Sequence, residues 1–130
     1  MTSFAYVDAS ALVKLVVVEA ESVQMLRWYV ESERVITSRV GIVETRRAAD
    51  RLPHDADQLR SLLTSLEIVE LDRRVADRAA SVGPTLLRAL DAIHLATAIE
   101  LGDSLDAFVT YDDRLAEAAR AAGLSVVRPA

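Results

Sequence analysis

The sequence has no cysteine, a single lysine, four glycines and three prolines. Without thiols there is no disulfide frame, no thiolate metal centre and no cysteine nucleophile, and a reducing cytoplasmic setting is the expected one. Aromatics are scarce too. One tryptophan, three tyrosines and two phenylalanines leave little for an extended stacking surface, so packing accounts for most of them, and Tyr111 is the best candidate for a base contact. No apolar run approaches the roughly 18 residues of a membrane span. The stretch 11–18 is broken by Lys14 and ends at Glu19. The amino terminus also lacks a basic flank followed by a cleavage site, so no membrane association is expected.

What is present is apolar mass: 52% of 130 residues are hydrophobic, enough to fill one α/β core and too little for two. One domain over 1–130 is therefore expected. The net charge of −5 argues against broad, nonspecific nucleic-acid binding, which draws on a basic surface. Against that, fourteen of the fifteen basic residues are arginines, whose planar forks suit bidentate phosphate contact.

Strand and helix signals alternate along the chain. Strands are expected at 4–7, 35–37, 68–71, 107–110 and 125–127. Helices are expected at 10–17, 22–31, 40–51, 55–66, from Asp72 to about Val82, 86–101 and 113–122. Pro53 stops one helix, and Gly83 with Pro84 punctuates the chain before the most apolar helix. Helix-length connections between short apolar strands imply an α/β fold, a three-layer α/β/α sandwich around a central parallel sheet.

In such a sheet, ligands bind outside the carboxyl ends of the strands. Asp8 follows the first strand, and Asp112 and Asp113 follow the fourth. Glu44 lies one turn into the helix after the second strand. Asp91 falls within the most apolar helix, where an uncompensated carboxylate costs several kcal/mol. A divalent cation would compensate several such groups together. Oxygen donors without cysteine, and with only two histidines, favour Mg²⁺ or Mn²⁺ over Zn²⁺. Each acid also has a simpler reading: Asp8 as a helix cap, Asp113 as a cap paired with Thr110, Glu44 as a solvated partner of Arg47, and Asp91 as a partner of Arg88. His94 reads as a hydrogen-bonded core histidine, and His54 as a surface residue.

Four segments carry a resemblance. YVDASALVKL at 6–15 contains Asp8 and Ser10, VETRRA at 43–48 contains Glu44, LDAIHLATA at 90–98 contains Asp91, and VTYDDRLAEAA at 109–119 contains Asp112. In order and spacing the chain resembles the PIN-domain family, and within it the VapC-type ribonuclease toxins of bacterial toxin–antitoxin pairs. The resemblance implies an endoribonuclease dependent on Mg²⁺ or Mn²⁺, a homodimer, and a cognate VapB-type antitoxin. It also implies that Asp8, Glu44, Asp91 and Asp112 act as the catalytic acids and metal ligands.

On this reading the cation orients a water and stabilises charge on the scissile phosphate, and hydrolysis leaves a 5′-phosphate and a 3′-hydroxyl. Ser10 and Thr110 hold ligands or waters in place, Asp113 supplements Asp112 or caps the helix, and Arg46, Arg47 and Arg114 contact RNA phosphates. Other functions remain open. A phosphoacceptor signalling domain needs a lysine beside its acids late in the chain, whereas the one lysine here is in the first helix. An aspartyl phosphohydrolase usually has two acids after the first strand, whereas here the pair is Asp8 and Ser10. A PIN nuclease outside toxin systems, or a PIN-like module that binds without cutting, fits the same segments.

Overall fold

A computed structural model describes residues 4–130. Strand β1 (Phe4–Val7) lies at the centre of the sheet. It is followed by α1 (Ala9–Val13), α2 (Ser22–Glu31), β2 (Arg34–Ser38), α3 (Arg39–Ala49), α4 (Ala56–Ser65) and β3 (Glu67–Val69). The second half contains α5 (Arg73–Ala79), α6 (Ala89–Leu101), β4 (Ala107–Val109), α7 (Asp113–Ala121) and β5 (Val126–Val127). The strand order is β3-β2-β1-β4-β5, with every neighbouring pair parallel.

Every residue of β1 is buried, which explains its unbroken apolar run: a strand covered on both faces has no polar alternation to show. Ala5, Val7, Val35 and Val109 form one core with side chains of α1 to α4. Phe4, Tyr6, Ile36 and Phe108 form the other with α6 and α7. The three-layer α/β/α expectation holds. Because chain order runs outward from β1 in both directions, the sheet has its switch point between β1 and β4, and the crevice there opens at the carboxyl ends of these strands.

Side-chain caps set most helix starts. Asp8, Ser38, Asp55, Asp72 and Asp112 each accept from a backbone N–H in the first turn of the helix that follows, a contact worth about 1 kcal/mol apiece. The first helix is shorter than expected, ending at Val13 before turns that carry the chain to Val17. More consequential is α6, which begins at Ala89 instead of Leu86. Gly83 adopts φ +70°, and the Leu87 N–H donates to the Pro84 carbonyl at 2.9 Å, so 84–87 form a turn with Leu86 90% exposed. Asp91 consequently lies in the first turn of α6, where free N–H groups and the helix dipole favour negative charge. Among the described residues, no helix is long and apolar enough to cross a membrane.

Candidate active site

The crevice between β1 and β4 is organised around Asp8. This carboxylate is 4% exposed. It accepts from the Ser10 hydroxyl at 2.7 Å, the Ala11 N–H at 3.2 Å and the Thr110 hydroxyl at 2.6 Å. Thr110 in turn accepts from the Asp112 N–H at 3.0 Å, and Ser10 from the Tyr111 N–H at 2.9 Å. The loop after β4 is thus tied to the loop after β1 through two hydroxyls. Asp8 therefore caps α1 as one of its two readings has it, while its other oxygen is held by the loop after β4. Burial pushes its carboxyl above the usual range, opposed by nearby His94 and by the Thr110, Ser10 and Ala11 donors.

Asp91 and Asp112 face one another across the guanidinium of Arg88. Its Nε lies 3.4 Å from Asp91 Oδ2 and its Nη2 lies 3.5 Å from Asp112 Oδ2. Burial, and then the Asp112 carboxylate, raise the Asp91 carboxyl; Arg88 and His94 partly offset this. Asp112 uses Oδ1 to cap α7 by accepting from the Leu115 N–H at 2.8 Å. Asp113 does neither job. It is exposed and paired with Arg128 at 2.7 Å, which settles the cap in favour of Asp112. Glu44 turns inward from α3 and accepts from the buried His94 ring, with Oε1 2.6 Å from Nε2; it is not the solvated partner of Arg47.

The arginines divide by helix face. Arg47, three residues after Glu44, lines a groove of about 420 Å³ with Ser10, Glu44, Arg51 and Leu90. Arg114 lines a neighbouring cleft of about 440 Å³ with Arg88, Asp91, Leu87 and Glu117. Arg46 faces away from the acids into a separate groove with Asp50, His54 and Arg60. Residues two apart on a helix point to different sides, so Arg46 does not flank the acids. Arg51 and Arg88 do, and the first of these was recoverable from its spacing of four after Arg47. Tyr111 is also committed elsewhere, its hydroxyl donating to the Pro129 carbonyl at 2.5 Å and its ring lying under Lys14.

The donor set suits a hard divalent cation: carboxylate oxygens from four segments, two of them held above their usual range by burial and by like charge, the conditions that a dication relieves. The acids do not form a finished cage: among the described residues no three His, Asp or Glu side chains stand close enough for one, and Glu44 and Asp91 line two different grooves. In this arrangement each acid is held by a protein donor: Asp8 by hydroxyls, Glu44 by His94, and Asp91 and Asp112 by Arg88. The single lysine is unavailable to a phosphoacceptor pocket, since its Nζ is 3.2 Å from Glu21 and donates to the Ala20 carbonyl.

The chain is similar to Ribonuclease VapC47 of Mycobacterium tuberculosis, with 39% identity over 130 residues, covering 95% of this chain and 96% of that protein. It is 43% identical over 129 residues to Ribonuclease VapC35 of the same organism, with the same coverage. Among solved structures, M. tuberculosis VapC20, a sarcin–ricin loop cleaving toxin, matches with a TM-score of 0.75 at 19% identity, over 98% of this chain and 100% of that one. FitAcB from Neisseria gonorrhoeae matches at 0.69 and 18% identity, over 94% and 95%; these two likenesses bear on the fold alone. The model of the PIN domain matches residues 5–121, and the chain accordingly belongs to the PIN-domain family.

Proposed function

We propose that this chain, as one domain over 1–130, is a VapC-type endoribonuclease, the toxin of a toxin–antitoxin pair, hydrolysing RNA phosphodiester bonds at the β1–β4 crevice. The observation that carries the reading is the buried Asp8 carboxylate, held by Ser10 and by Thr110, the hydroxyl that also binds the N–H of Asp112, the partner of Asp91 across Arg88. Asp8, Glu44, Asp91 and Asp112 would hold Mg²⁺ or Mn²⁺, which supplies Lewis-acid charge at the scissile phosphate and a water acidified enough to attack near neutral pH. Ser10 and Thr110 fix the orientation of Asp8 and keep its oxygens directed at the crevice.

Arg47, Arg51, Arg88 and Arg114 surround the acids with positive charge, bringing the RNA backbone to an otherwise negative site. The relatives at 39–43% identity carry the name VapC, which supports a VapB-type antitoxin as the partner and the cytoplasm, where RNA is reached, as the location. A homodimer is the expected assembly.

The test is cleavage of defined RNAs by purified protein with Mg²⁺ or Mn²⁺, followed by sequencing of the ends. Cuts leaving a 5′-phosphate, lost on chelation and in a folded Asp8→Asn variant, are the expected outcome. Full metal-dependent cleavage by Asp8→Asn, free of contaminating nuclease, would remove Asp8 from the site. Co-expression with the product of a short neighbouring reading frame should suppress the activity.

A further inference from the structure

His94 is 2% exposed and lies on α6, one turn after Asp91, between two elements far away in sequence. Its Nδ1 lies 2.5 Å from the Tyr6 hydroxyl on β1, and its Nε2 lies 2.6 Å from Glu44 Oε1 on α3. A carboxylate only accepts, so Nε2 must carry its hydrogen. In the neutral ring, Nδ1 then accepts from the Tyr6 O–H, so that both contacts are hydrogen bonds; in the protonated ring Nε2 donates to Glu44 all the same. Tyr6 has little freedom to move. Its ring stacks on Phe108 with centroids 5.4 Å apart and meets the imidazole edge-on at 5.7 Å.

The backbone around the ring is fitted to this contact. Gly41, one turn before Glu44, has no Cβ; one placed there would collide with Thr37 Oγ1 and press on His94 Cε1 at 3.3 Å. The bare backbone lets α3 approach closely enough for Glu44 to reach the ring. On the β1 side, the ring is fixed by a core tyrosine. Among the described residues no protein donor holds the second oxygen, Glu44 Oε2.

We propose that His94 is a positioning residue: anchored by Tyr6, its imidazole donates to Glu44 Oε1 and fixes this acid at the crevice with Oε2 directed away from the protein's own donors. The role rests on the reading of Glu44 as one of the active-site acids. Glu44 projects from a partly exposed helix face on a side chain with three rotatable bonds, and without the imidazole it would sample several rotamers. A Tyr6–His94–Glu44 chain turns the rigidity of the sheet into a defined position for a flexible acid.

Two readouts test this. In the metal-free protein, long-range proton–nitrogen NMR should show His94 as the Nε2–H tautomer with an unprotonated Nδ1, and Tyr6→Phe should perturb that Nδ1 signal. Titration with Mn²⁺ itself should show affinity lowered about 10- to 100-fold in His94→Leu, with kcat reduced more than KM is raised, and with partial recovery in His94→Gln, whose amide can still donate to Glu44. A parent ring whose Nε2 carries no hydrogen overturns the proposal. So does a folded His94→Leu that binds Mn²⁺ and turns over like the parent, or a loss that follows thermal stability without recovery in His94→Gln. If His94→Leu does not fold, the tautomer and the Mn²⁺ affinity of Tyr6→Phe, lowered about 3-fold or more on this account, decide. An Asp8→Asn control separates the failures: unchanged Mn²⁺ affinity there contradicts the active site itself, whereas lost affinity there with none in the His94 variants contradicts only the positioning role.

Discussion

The β2–β3 edge and the β1–β4 crevice both concentrate charge, and they handle it in opposite ways. Along the edge each acid has its own cation: Arg34 makes two bonds of 2.7 Å to Glu67, and Arg39 pairs with Glu70. Their arginine donors hold Glu67 and Glu70 below the usual carboxylate range. In the crevice, Asp91 and Asp112 share one guanidinium and Asp8 has hydroxyl and amide partners without a salt bridge, so burial keeps Asp8 and Asp91 above that range. Proximity of opposite charges describes both places. What separates Asp8 and Asp91 from Glu67 and Glu70 is the direction in which the fold pushes the proton.

Breaking the crevice should have the largest effect. Asp91→Asn is expected to reduce metal-dependent RNA cleavage by about 100-fold or more while raising the melting temperature of the metal-free protein, because the Asp112 repulsion is gone. Single-turnover cleavage and calorimetry read the two halves, and a parallel fall in both would reduce Asp91 to a structural role. A smaller effect is expected from Arg88→Ala. Losing the guanidinium removes a phosphate contact and an internal competitor for the same acids. KM for RNA should therefore rise by about 10-fold, and Mn²⁺ should bind more tightly. Weaker Mn²⁺ binding would contradict the shared-cation picture.

An acid whose pKa is raised by folding binds its proton more tightly in the native state, so the metal-free protein should lose stability as pH climbs from below the ordinary value of 3.8 through the raised values of Asp8 and Asp91. Glu67 and Glu70 act with the reverse sign: their contribution is present above the ordinary carboxylate value and is lost as pH falls through their lowered ones. Melting curves across this window should show Asp91→Asn removing part of the first loss and Glu67→Gln part of the second. Smallest of all, Arg34→Ala should shift the melting temperature by no more than about 2 °C, an effect that high salt erases, because exposed pairs are screened. Cleavage should be unchanged.

The local signals were legible in the sequence. Asp8 after an apolar run, Asp72 at the start of a helical period and Pro53 after the end of another are decided within a few residues, and the layer order follows from the alternation of strands and helices. The start of α6 is not legible, because Leu86, Leu87 and Leu90 continue the helical pattern; yet Leu86 is 90% exposed and Leu90 47%, so the pattern does not report burial. Arg46 was placed at the acids by nearness in sequence, whereas 3.6 residues per turn puts Arg47 on the Glu44 face. The His94 contacts span 50 and 88 residues. No local rule encodes such pairings, which exist only once β1, α3 and α6 are folded together. The Arg88 bridge to Asp112 is hidden for the same reason.

A manganese soak of crystals of the protein, read by anomalous scattering, asks whether these acids hold a dication together. The expected result is a peak bounded by Asp8, Asp91 and Asp112, with Glu44 at its edge and the Arg88 side chain displaced from the acids. Well-diffracting crystals with manganese bound elsewhere or nowhere, and these acids still held by Arg88 and His94, would contradict it.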